Sequence, residues 1–310
     1  MVPTAQDLMD RQRARFAELD PQLPSDYRLP AGDPVLAHAP GGEAVAGVVR
    51  VVENRPGSAQ RLWQAATVHE LYPLVGAHPP GGMDALLAAW RDRLAGEAAP
   101  PADSSCVVTW PSRDVRATRA LLDHGFVPLS CLAVRSPAPP EDTKLSGTVK
   151  VRRAGPADLD AVVELALAEL DYAALVGASV RRPDAPELKR TTARLRLRSA
   201  DPVWLAERAG TPIAVAECGL IDTTRHPTGD RLRPGSWGYV NCLSVHERAR
   251  GSGVGRQLMA VVHAEFARAG AVGSFLFYNP PNPLSSVFWP RQGYRPLWTM
   301  WELRPATALR

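Results

Sequence analysis

The stretch Leu243-Ser-Val-His-Glu-Arg-Ala-Arg-Gly-Ser-Gly-Val-Gly-Arg-Gln-Leu258 constrains this chain more than any other. The residues up to Val245 read as a strand. After them Val254, Leu258, Val261, Val262 and Phe266 recur at i, i+4, i+7, i+8 and i+12, the stripe of a helix with one buried face. Between the two, Gly251, Gly253 and Gly255 let the backbone turn sharply and approach a ligand closely. A strand that enters a helix through such a turn leaves the first N–H groups of the helix unpaired at the positive end of its dipole, which makes an anion cradle. The spacing excludes two common occupants. A dinucleotide fingerprint needs G-x-G-x-x-G with an acidic residue about 20 positions on, and a Walker loop ends in Gly-Lys-Ser/Thr. Here Gly-Ser-Gly-Val-Gly runs into Arg256. The ligand this turn suits is a pyrophosphate of another kind.

A second block, Asn282-Pro-Leu-Ser285-Ser-Val-Phe288-Trp289-Pro-Arg-Gln-Gly293-Tyr294, follows the first. Together they resemble the Gcn5-related N-acetyltransferases (GNATs). Arg250, Gly253 and Gly255 match motif A, Q/R-x-x-G-x-G/A, and the second block matches motif B, N-x-x-A-x-x-F-Y-x-x-x-G-F, with every spacing kept. The resemblance covers about residues 148 to 304. It implies acetyl-coenzyme A, or another acyl-CoA, as co-substrate. The residues it implies around that ligand are Leu243, Ser244, Val245, Arg250, Gly251, Ser252, Gly253, Val254, Gly255, Arg256, Asn282 and Ser285. It also implies a bulge at Leu243 to Val245 that turns a main-chain N–H toward the acetyl oxygen.

The surrounding residues supply the rest of such a domain. Thr148 to Arg152 reads as a strand and Asp158 to Leu170 as a helix. Val203 to Glu207 and Ile213 to Ile221 read as a hairpin, Tyr239 to Val245 as the strand entering the cradle, and Ser274 to Tyr278 as the next strand.

The first half reads as a worn copy of the second. Asp33-Pro-Val matches Asp201-Pro-Val, and Gly125-Phe-Val-Pro-Leu matches Gly293-Tyr-Arg-Pro-Leu, both displaced by 168 residues (201 − 33 and 293 − 125). Val68-His-Glu matches Val245-His-Glu at 177 (245 − 68), which calls for compensating insertions in loops. The first copy lacks the glycine turn, and Pro79 and Pro80 remove N–H donors there. Asp114 stands where Asn282 stands and puts a negative charge near an anionic ligand. The copy also lacks the opening strand and helix. The expectation is therefore an α/β (α+β) chain of two tandem GNAT domains, each a mixed, mostly antiparallel twisted sheet flanked by helices. Residues 1–135 form a degenerate, non-catalytic copy, 136–147 a proline-rich linker, and 148–310 the catalytic domain.

The chemistry that the resemblance implies is direct attack of an amine on the thioester. A thiol with pKa of about 8.5 leaves neutral water as thiolate at a loss of roughly 2 kcal/mol, which is bearable without an acid. Trp289 replaces the tyrosine that serves as acid in the family, and Ser285 is the candidate proton relay. Freeing an alkylamine of pKa near 10.4 at pH 7 costs about 4 to 5 kcal/mol, so a base matters more. The family's glutamate position holds Tyr239, a poor base. Glu217 on the preceding strand, brought beside Tyr239, is the substitute, and Asn241 shares a strand face with Tyr239. Trp237, Tyr239, Tyr278, Trp289 and Trp298 are expected around the cleft, with the segment Asp222 to Ser236 overhanging it.

Composition sets limits. The net charge is +4, carried almost wholly by scattered arginine, since Lys144, Lys150 and Lys189 are the only lysines, and this argues against nucleic acid as partner. Cys106, Cys131, Cys218 and Cys242 lack C-x-x-C spacing and read as buried thiols, so no metal is expected. Without a signal-peptide core or a membrane-length apolar run, the expectation is a cytoplasmic enzyme with no membrane partner. The acceptor expected is a primary amine of a small molecule. Protein lysine or N-terminal acetylation, and a non-catalytic acyl-CoA sensor or scaffold, stay open, as does monomer against homodimer.

Overall fold

A computed structural model describes residues 4–77, 79–97, 100–137, 149–226 and 230–309. The N-terminal half runs α1 (Ala5–Leu19), β1 (Asp33–His38), β2 (Ala44–Glu53), β3 (Thr67–Leu74), α2 (Gly82–Gly96), β4 (Ser104–Pro111), α3 (Val115–Asp123) and β5 (Val127–Arg135). The C-terminal half opens with β6 (Lys150–Arg153), α4 (Leu159–Leu175) and α5 (Ala185–Arg198). It continues through β7 (Val203–Arg208), β8 (Thr211–Asp222), β9 (Ser236–Val245), α6 (Val254–Arg268), β10 (Ser274–Tyr278), α7 (Ser285–Arg291) and β11 (Arg295–Leu303). From β1 and β7 onward the order of elements is the same. Both α2 and α6 have 15 residues and start 172 apart (254 − 82), and both β5 and β11 have nine, 168 apart (295 − 127). Most of the linker expected at 136–147 lies outside the described residues.

Two expectations are corrected here. Val68-His-Glu opens β3, paired with β4 from Thr67 onward, whereas Val245 closes β9. The displacement of 177 is therefore a chance match, and the halves stay within a few residues of register throughout. Among the described residues no strand precedes β1, but a helix does: α1, started by a capping box between Thr4 and Asp7.

The strands form one sheet in the order β1-β2-β3-β4-β11-β5-β10-β9-β8-β7-β6. The last strand of each half is thus given to the other. β11 pairs with β4, β5 pairs with β10, and the two pair antiparallel in the middle. One hydrophobic cluster spans both halves: in it Leu232, Trp237, Phe275, Trp298, Trp301 and Leu303 of the second half pack with Phe16, Leu71, Trp90, Trp110 and Phe126 of the first. The independent domains expected at residues 1–135 and 148–310 are intertwined through these strands.

Helix α6 buries Val254, Leu258, Val262 and Phe266 on β8 and β9, as its period announces, with Met259 buried as well and Val261 only half-buried. It sits so close that a Cβ on Gly238 would lie 2.4 Å from the Phe266 ring. Helices α4 and α5 cover the opposite face through Val162, Val163, Leu165 and Ala193. All four cysteines are buried free thiols, as their spacing suggests. Among the described residues no helix is long and apolar enough to cross a membrane.

Candidate functional site

Strands β9 and β10 run parallel only from Gly238 to Val240, opposite Ser274 to Leu276. Beyond that the pairing stops while β9 continues to Val245, so a wedge opens between them and leaves an edge of β9 without a strand partner. At the same level β9 carries a bulge. Glu217 pairs with Cys242 and Cys218 with Val240, which leaves Asn241 as the extra residue. The bulge expected at Leu243 to Val245 is therefore earlier, since those three residues pair regularly with Ala216, Val215 and Ala214. An extra residue changes the phase of a strand. Trp237 and Tyr239 face away from α6. Past Asn241 the phase shifts, so that Leu243 and Val245 pack on the α6 side while Cys242 and Ser244 are buried on the α4–α5 side.

The turn between β9 and α6 follows from its glycines. His246 Nδ1 accepts from the Arg248 N–H at 3.3 Å and caps a short turn over Glu247–Ala249, so it is a structural loop histidine. Gly251 and Gly253 have φ of +77° and +83°, where a Cβ is strained, and the space around both is open. Gly253 is the N-cap of α6, and the Gln257 N–H bonds its carbonyl at 3.0 Å. The N–H groups of Val254, Gly255 and Arg256 therefore precede the helical ladder. A Cβ on Gly255 would lie 3.3 Å from Phe288 of α7, so the two sequence blocks pack directly on each other. Arg250 Nε donates to the Val245 carbonyl at 3.1 Å, and its guanidinium lies 5.4 Å from the ring centre of Tyr172 on α4. Ser252 Oγ donates to the Ala249 carbonyl at 2.7 Å and accepts from Arg208 at 3.3 Å. Arg208 and Arg250 contact this turn and Arg248 and Arg256 stand beside it in the sequence, so positive charge gathers near these amides.

The second block shapes a helix start. Asn282 Oδ1 accepts from the N–H groups of Leu284 and Ser285, at 2.9 and 3.2 Å. Ser285 Oγ donates to the carbonyls of Asn279 and Asn282, both at 3.2 Å. Its proton is committed to backbone, which weighs against the relay role expected for it. Trp289 is buried, edge-on to Phe288 and Tyr294 at 4.9 and 5.5 Å, and acts as a packing aromatic. Trp237 and Trp298 are also core residues. Their indoles donate to the carbonyls of Arg233 and Arg231, and Leu232 between those carbonyls is fully buried. The expected overhanging segment, Asp222 to Ser236, is thus anchored in the core at Thr223 and Leu232, while Thr224 to His226 and Arg233 to Pro234 are exposed and residues 227–229 lie outside the described residues.

On the α4–α5 side, Tyr239 Oη donates to Asn241 Oδ1 at 3.2 Å, and Asn241 Nδ2 donates to Glu217 Oε2 at 2.7 Å. The bulge creates this relay by carrying Asn241 over Glu217, which therefore sits beside Asn241 rather than beside Tyr239. Glu217 is buried, with Arg196 Nε of α5 at 3.6 Å. The Tyr239 ring stacks on Phe275 at 4.8 Å, and burial pushes its phenol up to about 12, which rules it out as a base at neutral pH. Glu169 of α4 faces Lys189 of α5 at 3.9 Å, and burial raises its carboxyl against the opposing pull of Lys189. Glu169, Lys189 and Arg196 are residues that the sequence reading missed. Pro186 and Glu187 at the start of α5 and Arg196 and Arg198 at its end are helix signals that could have revealed two of them.

The corresponding place in the first half is filled. Gly81, φ +70°, caps α2 as Gly253 caps α6, but a Cβ there would meet Pro40 at 2.8 Å. Strand β3 loses β4 after Leu71. Just beyond, the fully buried Gln12 of α1 donates from Nε2 to the Pro73 carbonyl at 2.9 Å and accepts at Oε1 from the Val75 N–H at 2.8 Å. One side-chain amide makes the two bonds that a peptide of a parallel neighbour would make. Asp114, expected to repel an anion, is instead paired with Arg15 of α1 at 2.6 Å and accepts from the Trp110 indole at 3.0 Å. Gln12→Leu should destabilise the protein by about 2 to 4 kcal/mol, because it leaves a buried carbonyl and a buried N–H without partners. Urea unfolding measures this, and a change below about 1 kcal/mol would mean that water replaces the amide.

Residues 199–296 match the family model of an acetyltransferase (GNAT) domain. Among solved structures the chain is similar to a GCN5-related N-acetyltransferase from Sphaerobacter thermophilus, with 17% identity and a TM-score of 0.53 over 98% of this chain and 95% of that one. It is also similar to a GCN5-related N-acetyltransferase from Ralstonia eutropha JMP134, with 23% identity over 48% of this chain and 93% of that one and a TM-score of 0.39. A third is a predicted acetyltransferase with acetyl-CoA from Clostridium acetobutylicum, with 19% identity over 47% and 90% of the two chains and a TM-score of 0.38. No curated protein matches the sequence. The first similarity spans both halves and shows the fold.

Proposed function

We propose that this protein, whose residues 199–296 match the family model of an acetyltransferase (GNAT) domain, moves an acetyl group from acetyl-CoA to a primary amine of a small molecule. In this reading the C-terminal half alone holds the cofactor. One observation carries it: the turn of free amides at the start of α6 lies at the end of the strand whose edge opens in the wedge. The N–H groups of Val254, Gly255 and Arg256, with Gly251 to Gly253 and Arg250, would hold the diphosphate. The open edge of Leu243, Ser244 and Val245 suits the amides of the pantetheine arm, with Asn282 and Ser285 shaping α7 nearby.

In the reaction the amine nitrogen bonds to the thioester carbon, the carbon–sulfur bond breaks so that the sulfur leaves as thiolate, and the proton shed by the nitrogen passes to that thiolate or to water. Tyr239 donates to Asn241, so its oxygen lone pairs stay available to accept from the amine. Glu217 acts through Asn241: it is buried behind that amide, and its charge is compensated by Arg196. Glu217 is thus proposed to orient the relay, and the amine enters as its free base. Without a general base kcat/KM should rise tenfold per pH unit until the amine's own pKa.

Thiol release from acetyl-CoA over a panel of small amines and lysine peptides tests the reading. Turnover confined to peptides would favour the protein-directed alternative, and tight cofactor binding without release would favour a sensor. Glu217→Gln, which keeps an acceptor oxygen for Asn241, should reduce kcat less than about tenfold, since a true general base contributes roughly 100-fold or more. A loss of that larger size would restore Glu217 as the base.

A further inference from the structure

Helix α5 carries both cations that face the carboxylates of the acceptor side, Lys189 toward Glu169 and Arg196 toward Glu217. Its N-terminal end is seated on the other half of the molecule. Arg182, just before α5, bonds Asp103 at 2.7 and 3.1 Å and donates to the carbonyls of Arg61 and Gln64 at 3.1 and 3.3 Å. Arg61 meets the same Asp103 at 2.9 Å, and Leu62 packs with Leu170 and Ala185. The hydrogen bonds from Arg182 hold the Asp103 carboxyl down to about 2, so this link is complete above the ordinary 3.8 and is lost as the pH falls toward 2. Beside it the ammonium of Lys189, whose side chain is only 8% exposed, lies 5.4 Å from the ring centre of Trp63. Arg304 in turn donates to the Trp63 carbonyl at 3.1 Å.

A buried ammonium has lost most of its hydration, and a carboxylate at 3.9 Å replaces only part of it. The face of an indole supplies more, and it does so in a fixed direction. Trp63 comes from the half that has no glycine turn, while Glu169 and Lys189 come from the half that has one. We propose that Trp63 is a positioning residue of the acceptor site. It holds Lys189 against Glu169, and through α5 it holds Arg196 against the Glu217–Asn241–Tyr239 relay. The N-terminal half then serves the reaction as the back wall of the amine site. This inference rests on the acyl-transfer reading.

The test uses the full chain with Trp63→Leu, Lys189→Met and Lys189→Arg. It measures acceptor kcat/KM by thiol release, coenzyme A Kd by calorimetry, and deuterium uptake of α5 and α6. Trp63→Leu and Lys189→Met should each lower acceptor kcat/KM about tenfold with coenzyme A Kd changed less than twofold, while Lys189→Arg, which keeps a cation over the ring, should recover most of the loss. Uptake should quicken in α5 and not in α6. Unchanged kcat/KM in Trp63→Leu, or cofactor and acceptor binding that weaken together, would overturn the proposal. If the wild type turns over no amine, the acyl-transfer reading fails by itself. The exchange data then decide the clamp: faster α5 exchange in Trp63→Leu supports it, and unchanged exchange overturns it.

Discussion

Gly253→Glu is expected to leave a folded protein that has lost coenzyme A. At φ +83° a side chain is strained, by about 1 to 2 kcal/mol. The space beside Gly253 is open, so no clash with the core adds to that. The new carboxylate would stand among the amides of Val254, Gly255 and Arg256 at the positive end of α6, where it satisfies the donors meant for a diphosphate and repels it. Coenzyme A Kd should weaken by at least about 100-fold, equivalent to about 2.8 kcal/mol. Gly253→Asn is the control for strain, because asparagine tolerates the left-handed region. It should keep affinity within about tenfold. Calorimetry beside a thermal melt separates the two: a glutamate variant that melts normally and binds normally removes the turn from the ligand site, and with it the functional reading.

The second large effect concerns the exchanged strands. Produced separately with the break at residues 138–148, residues 4–137 and 149–309 should each fail to fold, and produced together they should assemble one to one. Each half alone keeps a final strand that belongs beside the other. The first half would lose β11, with Trp298, Trp301 and Leu303 all buried, and the second would lose β5, with Leu132 and Val134 buried. Each such side chain contributes about 1.5 to 3 kcal/mol, so three together rival the 5 to 15 kcal/mol that stabilises a whole domain. Gel filtration and circular dichroism of single and paired fragments are the measurement. A monomeric, cooperatively melting C-terminal fragment would show that β11 can return to its own half.

Residues near one another in the chain were legible early. The strand expected at Ser274 to Tyr278 is found at those residues, and the hairpin of β7 and β8 differs from its expectation by a few residues at its ends. These elements depend on periodicity and turn chemistry within a short window. Helix α5 escaped because its buried residues are few, Ala185, Lys189 and Ala193, within an arginine-rich run. Helix α1 escaped because none of the repeated segments lies in residues 5–19, so the first copy read as lacking its opening helix. The match of Val68-His-Glu failed because Val68 lies near the start of β3 while Val245 ends β9.

The candidate site divides in the same way. Its glycine turn and the stripe of α6 were written in the sequence itself, since a positive φ and a helical period are properties of a few neighbouring residues. The family resemblance rests on those blocks. The bulge at Asn241, the contact of Arg196 with Glu217, the seat of Lys189 on Trp63 and the filling of the first half by Gln12 were decided only in the folded chain. Each joins residues from different elements, and the strand exchange that brings the halves together depends on which of two nearly equivalent partners β5 and β11 choose. That choice is made by packing across the whole sheet, which no local pattern records.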